Sequence, residues 1–459
     1  MAEKFSEDPK IEKSLRHSVK DGVAYSVMSG AGETYFSAFA IFLKASTSQI
    51  ALLASLPPLI GSVAQLVSAW MGRRTHRRQG IILSGAYTQI FIWAPMLLLP
   101  LLFPQWSVNL LLACVIVYYA AGNLIAPQWS SMMGDLVPDD RRGRFFAMRT
   151  RMASITSFLA VVLAGLILHF FDGRGETFVG YALLFMIAAA ARAVSSFHLT
   201  RMYDPPGKVA ALEWPATREW IQRIKDSHAP RFSAYFALMM FAVNIASPFF
   251  TVYMLRDLHF TYFQFMVTTA ASVIVQFLCL TTWGKISDEF GNRVILLLTG
   301  ALVPFLPLLW LVSQEFYFLL SLQVLSGIAW AGFNLSAANF LYDLVPAPKR
   351  VTYLAMHNVM SNIAVFLGAM LGGVLASVLP ATVSLGDYEL TWYSPIMWVF
   401  LFSAVVRAIV AVMFLPHLEE VREVRHTTMS ALVFRVTRFD TLSGFIFEIV
   451  GQRRRPPDP

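Results

Sequence analysis

DLVPDDRRGRFFAMR, residues 135–149, returns as DLVPAPKRVTYLAMH, residues 343–357. Asp135, Pro138, Arg142, Ala147 and Met148 fall on Asp343, Pro346, Arg350, Ala355 and Met356 at a constant offset of 208. The register carries into the next segment, where Gly165 falls on Gly373. Upstream, an offset of 211 sets Phe39 on Phe250, Gln65 on Gln276 and Glu33 on Asn244. A repeat this long means two homologous halves, a pair of rigid units that can rock about whatever lies between them.

Composition fixes the solvent around those halves. Apolar residues make up 56% of the 459 and charged residues 14%, with a mean hydropathy of +0.58. Soluble proteins carry roughly 25% charged residues. A water-soluble domain could not hide this much apolar surface, so lipid covers part of it. Twelve runs are long and apolar enough to span, near 21–43, 50–71, 80–103, 108–133, 145–170, 178–200, 232–255, 261–283, 293–313, 316–341, 351–379 and 395–415. Prolines inside them (Pro57, Pro58, Pro95, Pro248, Pro304, Pro307) are tolerated in membrane helices as kinks. The first run is long and carries Asp21 and Glu33, so it reads as a retained helix rather than a signal peptide. The expected fold is all-α, with two six-helix bundles at 1–200 and 232–415, a linker at 201–231 and a tail at 416–459.

The basic residues orient the chain. With the N-terminus inside, 31 of the 36 Lys and Arg fall on the inner side, and only Lys44, Arg174 and Arg256 on the outer. That asymmetry predicts both termini in the cytoplasm of a cell inner (plasma) membrane. The net charge of +8 belongs to this bias and not to nucleic acid binding. In the linker, Trp214, Trp220, Ile221 and Ile224 among charges read either as an interfacial amphipathic helix or as a solvated one. Cys114 and Cys279 lie in apolar runs, which leaves no disulfide framework and no zinc spacing. The histidines show no metal spacing, and no nucleotide loop, HExxH or GxSxG occurs. No cofactor and no enzymatic activity are expected.

After span 8 the chain reads GKISDEFGNR, residues 284–293. This stretch resembles the signature loop of the major facilitator superfamily, as does DLVP…RRGR after span 4. With twelve spans in two halves, the resemblance covers essentially the whole chain. It implies a secondary active transporter moving a small organic solute by alternating access. In that picture Gly284, Asp288, Gly291 and Arg293, with Asp135, Arg142, Asp343 and Arg350, control the cytoplasmic gate. The N-terminal copy departs from the pattern. WMGRRTHRRQG, from Trp70, has no acid in the place of Asp288, so that latch is either weaker or borrows Asp135. The same gap supports an alternative reading, a carrier-fold receptor or assembly factor that no longer transports.

Charge inside a membrane costs about 2.5–3.5 kcal/mol per residue on insertion scales, so each case needs a reason. Glu33 lies near the middle of span 1 between small residues. The resemblance puts it across the central cavity from Asn244. It reads either as a proton- or cation-coupling site or as a hydrogen-bonded acid pinning helix 1 to a neighbour. Gln65, Gln128, Trp129, Trp330, Asn334, Asn339, Asn358 and Asn362 are further cavity candidates. Taken singly, each amide reads as interhelical glue; together they suit an organic solute. Arg192 and Arg407, repeat partners at an offset of 215, lie in the sixth helix of each half, which the resemblance places at the outside of the bundle. They are expected to snorkel towards the inner interface or to pair with a loop acid. Arg149, whose partner is His357, reads either as a guard of the inner cavity mouth that attracts an anion or as a tie to Asp135. A mid-membrane acid without a central Lys or Arg favours neutral, cationic or amphipathic solutes over strongly anionic ones.

Overall fold

The computed structural model describes residues 5–75, 78–138, 141–205, 228–345, 350–385 and 388–420. The amphipathic stretch of the linker at 206–227 and the tail from 421 onward lie outside them. The first half comprises α1 (Pro9–Ala31), α2 (Phe36–Phe42), α3 (Thr47–Thr75), α4 (Arg78–Leu102), α5 (Ser107–Leu136), α6 (Arg142–Asp172) and α7 (Thr177–Thr200). The second comprises α8 (His228–Val252), α9 (Tyr262–Phe290), α10 (Asn292–Leu302), α11 (Phe305–Leu309), α12 (Phe316–Leu344), α13 (Arg350–Val378) and α14 (Ile396–Phe414). Eleven of the described helical segments are long and apolar enough to cross a membrane. The first span is not among them, because its charged N-terminal turns and a mid-span break dilute its apolar run.

That break is local chemistry. Asp8 caps α1 by accepting from the Lys10 amide at 2.8 Å, and Pro9 takes the first helical position, where its missing N–H is harmless. The helix therefore starts earlier than hydropathy indicates. It stops at Gly32, and a 3-10 turn over Glu33–Tyr35 links it to α2. Such a turn in mid-span often marks a functional hinge. Span 9 breaks as well, between α10 and α11, where Pro304 and Pro307 remove backbone donors. Between α13 and α14 the chain forms a two-stranded antiparallel pair, β1 (Thr382–Leu385) and β2 (Tyr388–Thr391), with Thr382 opposite Thr391.

Within the first half α1 packs on α6 and α7, and α5 on α3 and α4; in the second, α8 packs on α13 and α14, and α12 on α9 and α10. The halves meet through α3 on α13 and α6 on α9, two contacts that the repeat exchanges. Twelve crossings put both ends of the bundle at one face, here called the terminal face. The named contacts between halves cluster at the opposite face. There the Tyr181 and Tyr262 hydroxyls pair at 3.1 Å, and Arg256 reaches Thr47 at 3.2 Å. The repeat-related glycines close this seam. A side chain on Gly165 would meet Met266 and the Tyr35 hydroxyl, and one on Gly373 would lie 2.9 Å from the Ala51 side chain. Only glycine lets backbones approach that closely. Toward the terminal face α6 and α9 part instead, leaving a cleft of about 710 Å³ lined by Arg151, Ser154, Phe158, Gln276 and Phe277.

Candidate functional site between the helix bundles

The break in span 1 turns Glu33 toward α5. Its carboxylate accepts from the Tyr118 hydroxyl at 3.0 Å and from the Tyr119 hydroxyl at 2.9 Å. Each such bond to a charged acceptor contributes about 1.5–3 kcal/mol. The tyrosines are held in turn by packing. Tyr118 stands edge-on to Phe36 at 5.4 Å and to Trp93 at 5.4 Å, inside the main apolar core. A carboxylate offers about four lone-pair directions, so two remain for a proton or a cation. Glu33 is partly exposed, and among the described residues no basic side chain pairs with it. Tyr118 and Tyr119 were not singled out from the sequence. Two adjacent tyrosines in an apolar span were the available signal.

Asn244, the repeat partner of Glu33, is placed differently. Its amide donates to the Met240 carbonyl of its own helix at 2.9 Å, and no hydrogen bond joins it to Glu33 among the described residues. Gln65 donates to Asn123 at 2.7 Å, and Gln128, 2% exposed, donates to the Ser68 carbonyl at 2.8 Å. Both amides tie α3 to α5. Trp129 lies against the Arg149 guanidinium at 4.3 Å, and Trp330 stands edge-on to Phe333 at 5.6 Å. Asn334 and Asn358 are exposed, and Asn339 and Asn362 partly so.

The cytoplasmic-gate candidates form two related clusters at the terminal face. Arg78, 3% exposed at the start of α4, donates to Asp135 at 2.6 Å and to Asp204 at 2.9 Å. Asp204 also accepts from the Gln79 amide at 3.2 Å. In the second half Asn292, at the start of α10, donates to Asp343 at 2.9 Å, and the Arg293 amide donates to Glu420 at 2.9 Å. In both halves, then, an acid after the fourth span and another after the sixth hold the start of the third. Arg78 in the first half thus stands where Asn292 and Arg293 stand in the second. Asp288 is exposed and makes no hydrogen bond or ion pair among the described residues. Gly284 lies in open space, and Gly291 has φ +83, a conformation any side chain would strain. The side chains of Arg142 and Arg350 lie outside the described ones.

Two expectations about arginines are overturned. Arg192 and Arg407 do not snorkel; each is 2% exposed. Arg192 donates to Ser195 at 2.7 Å, and Ser195 donates to Asp21 at 2.7 Å. Arg407 bonds Ser403 at 3.0 Å and the Val303 and Val243 carbonyls at 3.2 Å each. Pro307, four residues after Val303, has no N–H to offer that carbonyl, so the guanidinium fills the vacancy in the helix ladder. Arg149 is tied to Asp21 at 3.5 Å and to the Ser18 carbonyl at 3.2 Å, not to Asp135.

Comparison with known proteins fits this architecture. The family model described as Major Facilitator Superfamily matches residues 22–241 and again 232–447. Among curated proteins, an MFS-type transporter (ppz2) of Metarhizium majus is 32% identical over 117 residues, 24% of this chain and 18% of that protein. Major facilitator superfamily domain-containing protein 10 of Mus musculus is 31% identical over 118 residues, 25% of each chain. The chain thus aligns with a quarter or less of the length of these relatives. Two solved structures share the fold at low identity. The nucleoside transporter NupG has a TM-score of 0.65 at 13% identity, covering 88% of this chain and 98% of that one. A D-xylose-proton symporter has 0.66 at 14%, covering 89% and 97%. The doubled family match falls on the same two halves that the internal repeat and the helix packing delineate, and the chain belongs to the Major Facilitator Superfamily.

Proposed function

We propose that the protein is a secondary active transporter that carries a small organic solute by alternating access, with Glu33 as the proton-binding group. The observation that carries this reading is the asymmetry of the seam. The halves touch at the face opposite the termini, and toward the terminal face α6 and α9 part around a cleft of about 710 Å³. Such an arrangement has a natural counterpart in which the contacts swap faces. With both termini cytoplasmic, this conformation is the inward-open one. Asp288, without a partner among the described residues, is then a latch waiting for the closed cytoplasmic face.

Glu33 has the chemistry for coupling: a mid-span carboxylate steadied by two hydroxyl donors, with no basic counter-ion among the described residues. Asn244, across the seam in the repeat, contacts solute. The non-transporting alternative leans on the missing acid of the first loop; the Arg78 cluster with Asp135 and Asp204, which has a counterpart in the second half, favours the transport reading.

The test is solute uptake into proteoliposomes with and without an inward pH gradient, repeated with Glu33→Gln. Gradient-driven accumulation should be lost in the variant, while exchange of solute for solute persists. Accumulation that survives the substitution unchanged removes Glu33 from the mechanism.

A further inference from the structure

Within the first half, α1, α5, α6 and α7 line an open-mouthed cavity of about 250 Å³ that the coupling reading does not use. Its polar walls are Asp21, Arg149, Arg192 and Ser130, and its aromatic walls are Tyr25 and Trp129. Ser130, Trp129, Arg149 and Arg192 lie in the terminal-face halves of their helices and Asp21 beside the midpoint of α1, so the cavity sits toward the terminal face.

The charges do not balance. Two guanidinium groups face one carboxylate, leaving one surplus positive charge in a largely buried place. Asp21 is already engaged by Ser195 at 2.7 Å and Arg149 at 3.5 Å. Arg192 is 2% exposed, and its Nε has no acceptor among the described residues. The Trp129 indole N–H has none either. Buried donors without acceptors are uncommon in folded proteins and call for one. The aromatic rings are placed beside the cations: Arg149 lies 4.3 Å from the Trp129 ring and Arg192 5.3 Å from that of Tyr25. A wall of this kind accepts a flat apolar body next to a charged head.

We infer that this cavity binds a small organic anion. Its carboxylate lies between Arg149 and Arg192, and its flat body rests on Trp129 and Tyr25. The volume falls below the roughly 300–1,000 Å³ of pockets for drug-sized ligands, which limits the body to about one ring. The inference rests on the transport reading and gives it a substrate class. It also answers the sequence-based preference against strongly anionic solutes, which assumed that no arginine reaches the interior.

The experiment uses the full chain purified in detergent, with benzoate as probe and benzamide as its neutral isostere, read by titration calorimetry. Benzoate should bind saturably and benzamide about tenfold more weakly or worse, since the distinguishing contacts are charge-assisted. Arg149→Gln should weaken benzoate by about tenfold. Asp21→Asn should tighten it, because the competing carboxylate is gone. A purely structural network predicts the reverse, a looser protein with no gain in affinity.

Equal affinities for benzoate and benzamide, or benzoate binding untouched by Arg149→Gln, overturns the site. Arg149 is partly exposed, so its variant keeps the test open even if Asp21→Asn fails to fold. Proteoliposome uptake separates the two readings. Benzoate that binds as described but is never carried sinks transport and leaves the site. Gradient-driven uptake of other solutes without benzoate binding sinks the site and leaves transport.

Discussion

Arg192 and Arg407 occupy the same place in the repeat and are equally buried, yet their surroundings differ in kind. Around Arg192 stand Asp21, Arg149, Tyr25 and a cavity. The positions that repeat Asp21, Tyr25 and Arg149 are Phe232, Phe236 and His357. These pack together, with His357 4.7 Å from Phe236 and stacked on Phe232 at 6.4 Å. Ser233 bonds the imidazole at 3.2 Å. Among the described residues Arg407 pairs with no acid and serves the backbone carbonyls instead. Duplication kept the helices and their packing. Among the described residues the charge cluster and its cavity belong to the first copy, and the equivalent positions of the second hold packed aromatic and imidazole rings. On the proposed transport reading, two halves that rock as rigid bodies need matching seams, but only one of them needs to hold the ligand.

Replacing each arginine by methionine probes that difference most strongly. Arg192→Met removes the nearby positive charge and the donor to Ser195, leaving Asp21 with Ser195 and one long ion pair to Arg149. Breaking a buried charge network costs about 3–5 kcal/mol. Arg407→Met leaves only the Val303 carbonyl unsatisfied, a cost of about 1–3 kcal/mol. Thermal unfolding in detergent should therefore rank Arg192→Met well below Arg407→Met. The opposite order would mean that the charge cluster is not what holds α1 to α7.

The comparison between Glu33 and Asn244 can be sharpened by kinetics. Replacing both Tyr118 and Tyr119 by phenylalanine removes the donors that steady Glu33, and should cut gradient-driven uptake by about tenfold. Asn244→Ala should raise KM and leave the dependence on the pH gradient intact. If both variants change coupling alike, the two halves share the proton site.

A smaller effect is expected at the seam itself. Gly165→Leu and Gly373→Leu should each pry the halves apart at the face opposite the termini. Cysteines placed near that face would then label faster and those at the terminal face slower. Gly165 is the tighter of the two approaches, so its variant should show the larger shift. Unchanged labelling in both would mean that this seam does not open.

The duplication, the spans, the family and the oddity of Glu33 were all legible along the chain. Hydropathy, repeat register and the cost of charge in lipid act residue by residue and need no knowledge of neighbours. The tertiary structure decided which way each polar group turned. Arg78 meets acids 57 and 126 residues further along, and Ser195 meets Asp21 from 174 residues away. Arg192 and Arg407 turned inward where snorkelling was expected, because helix phase is set by packing on α1 and α8 and not by distance from the membrane edge. The early start of α1 and its break at Gly32 were similarly hidden, since a capped polar extension carries no hydropathy signal. Helices report their existence locally. Their facing is a property of the whole bundle, because a rotation of one helix moves every partner it has.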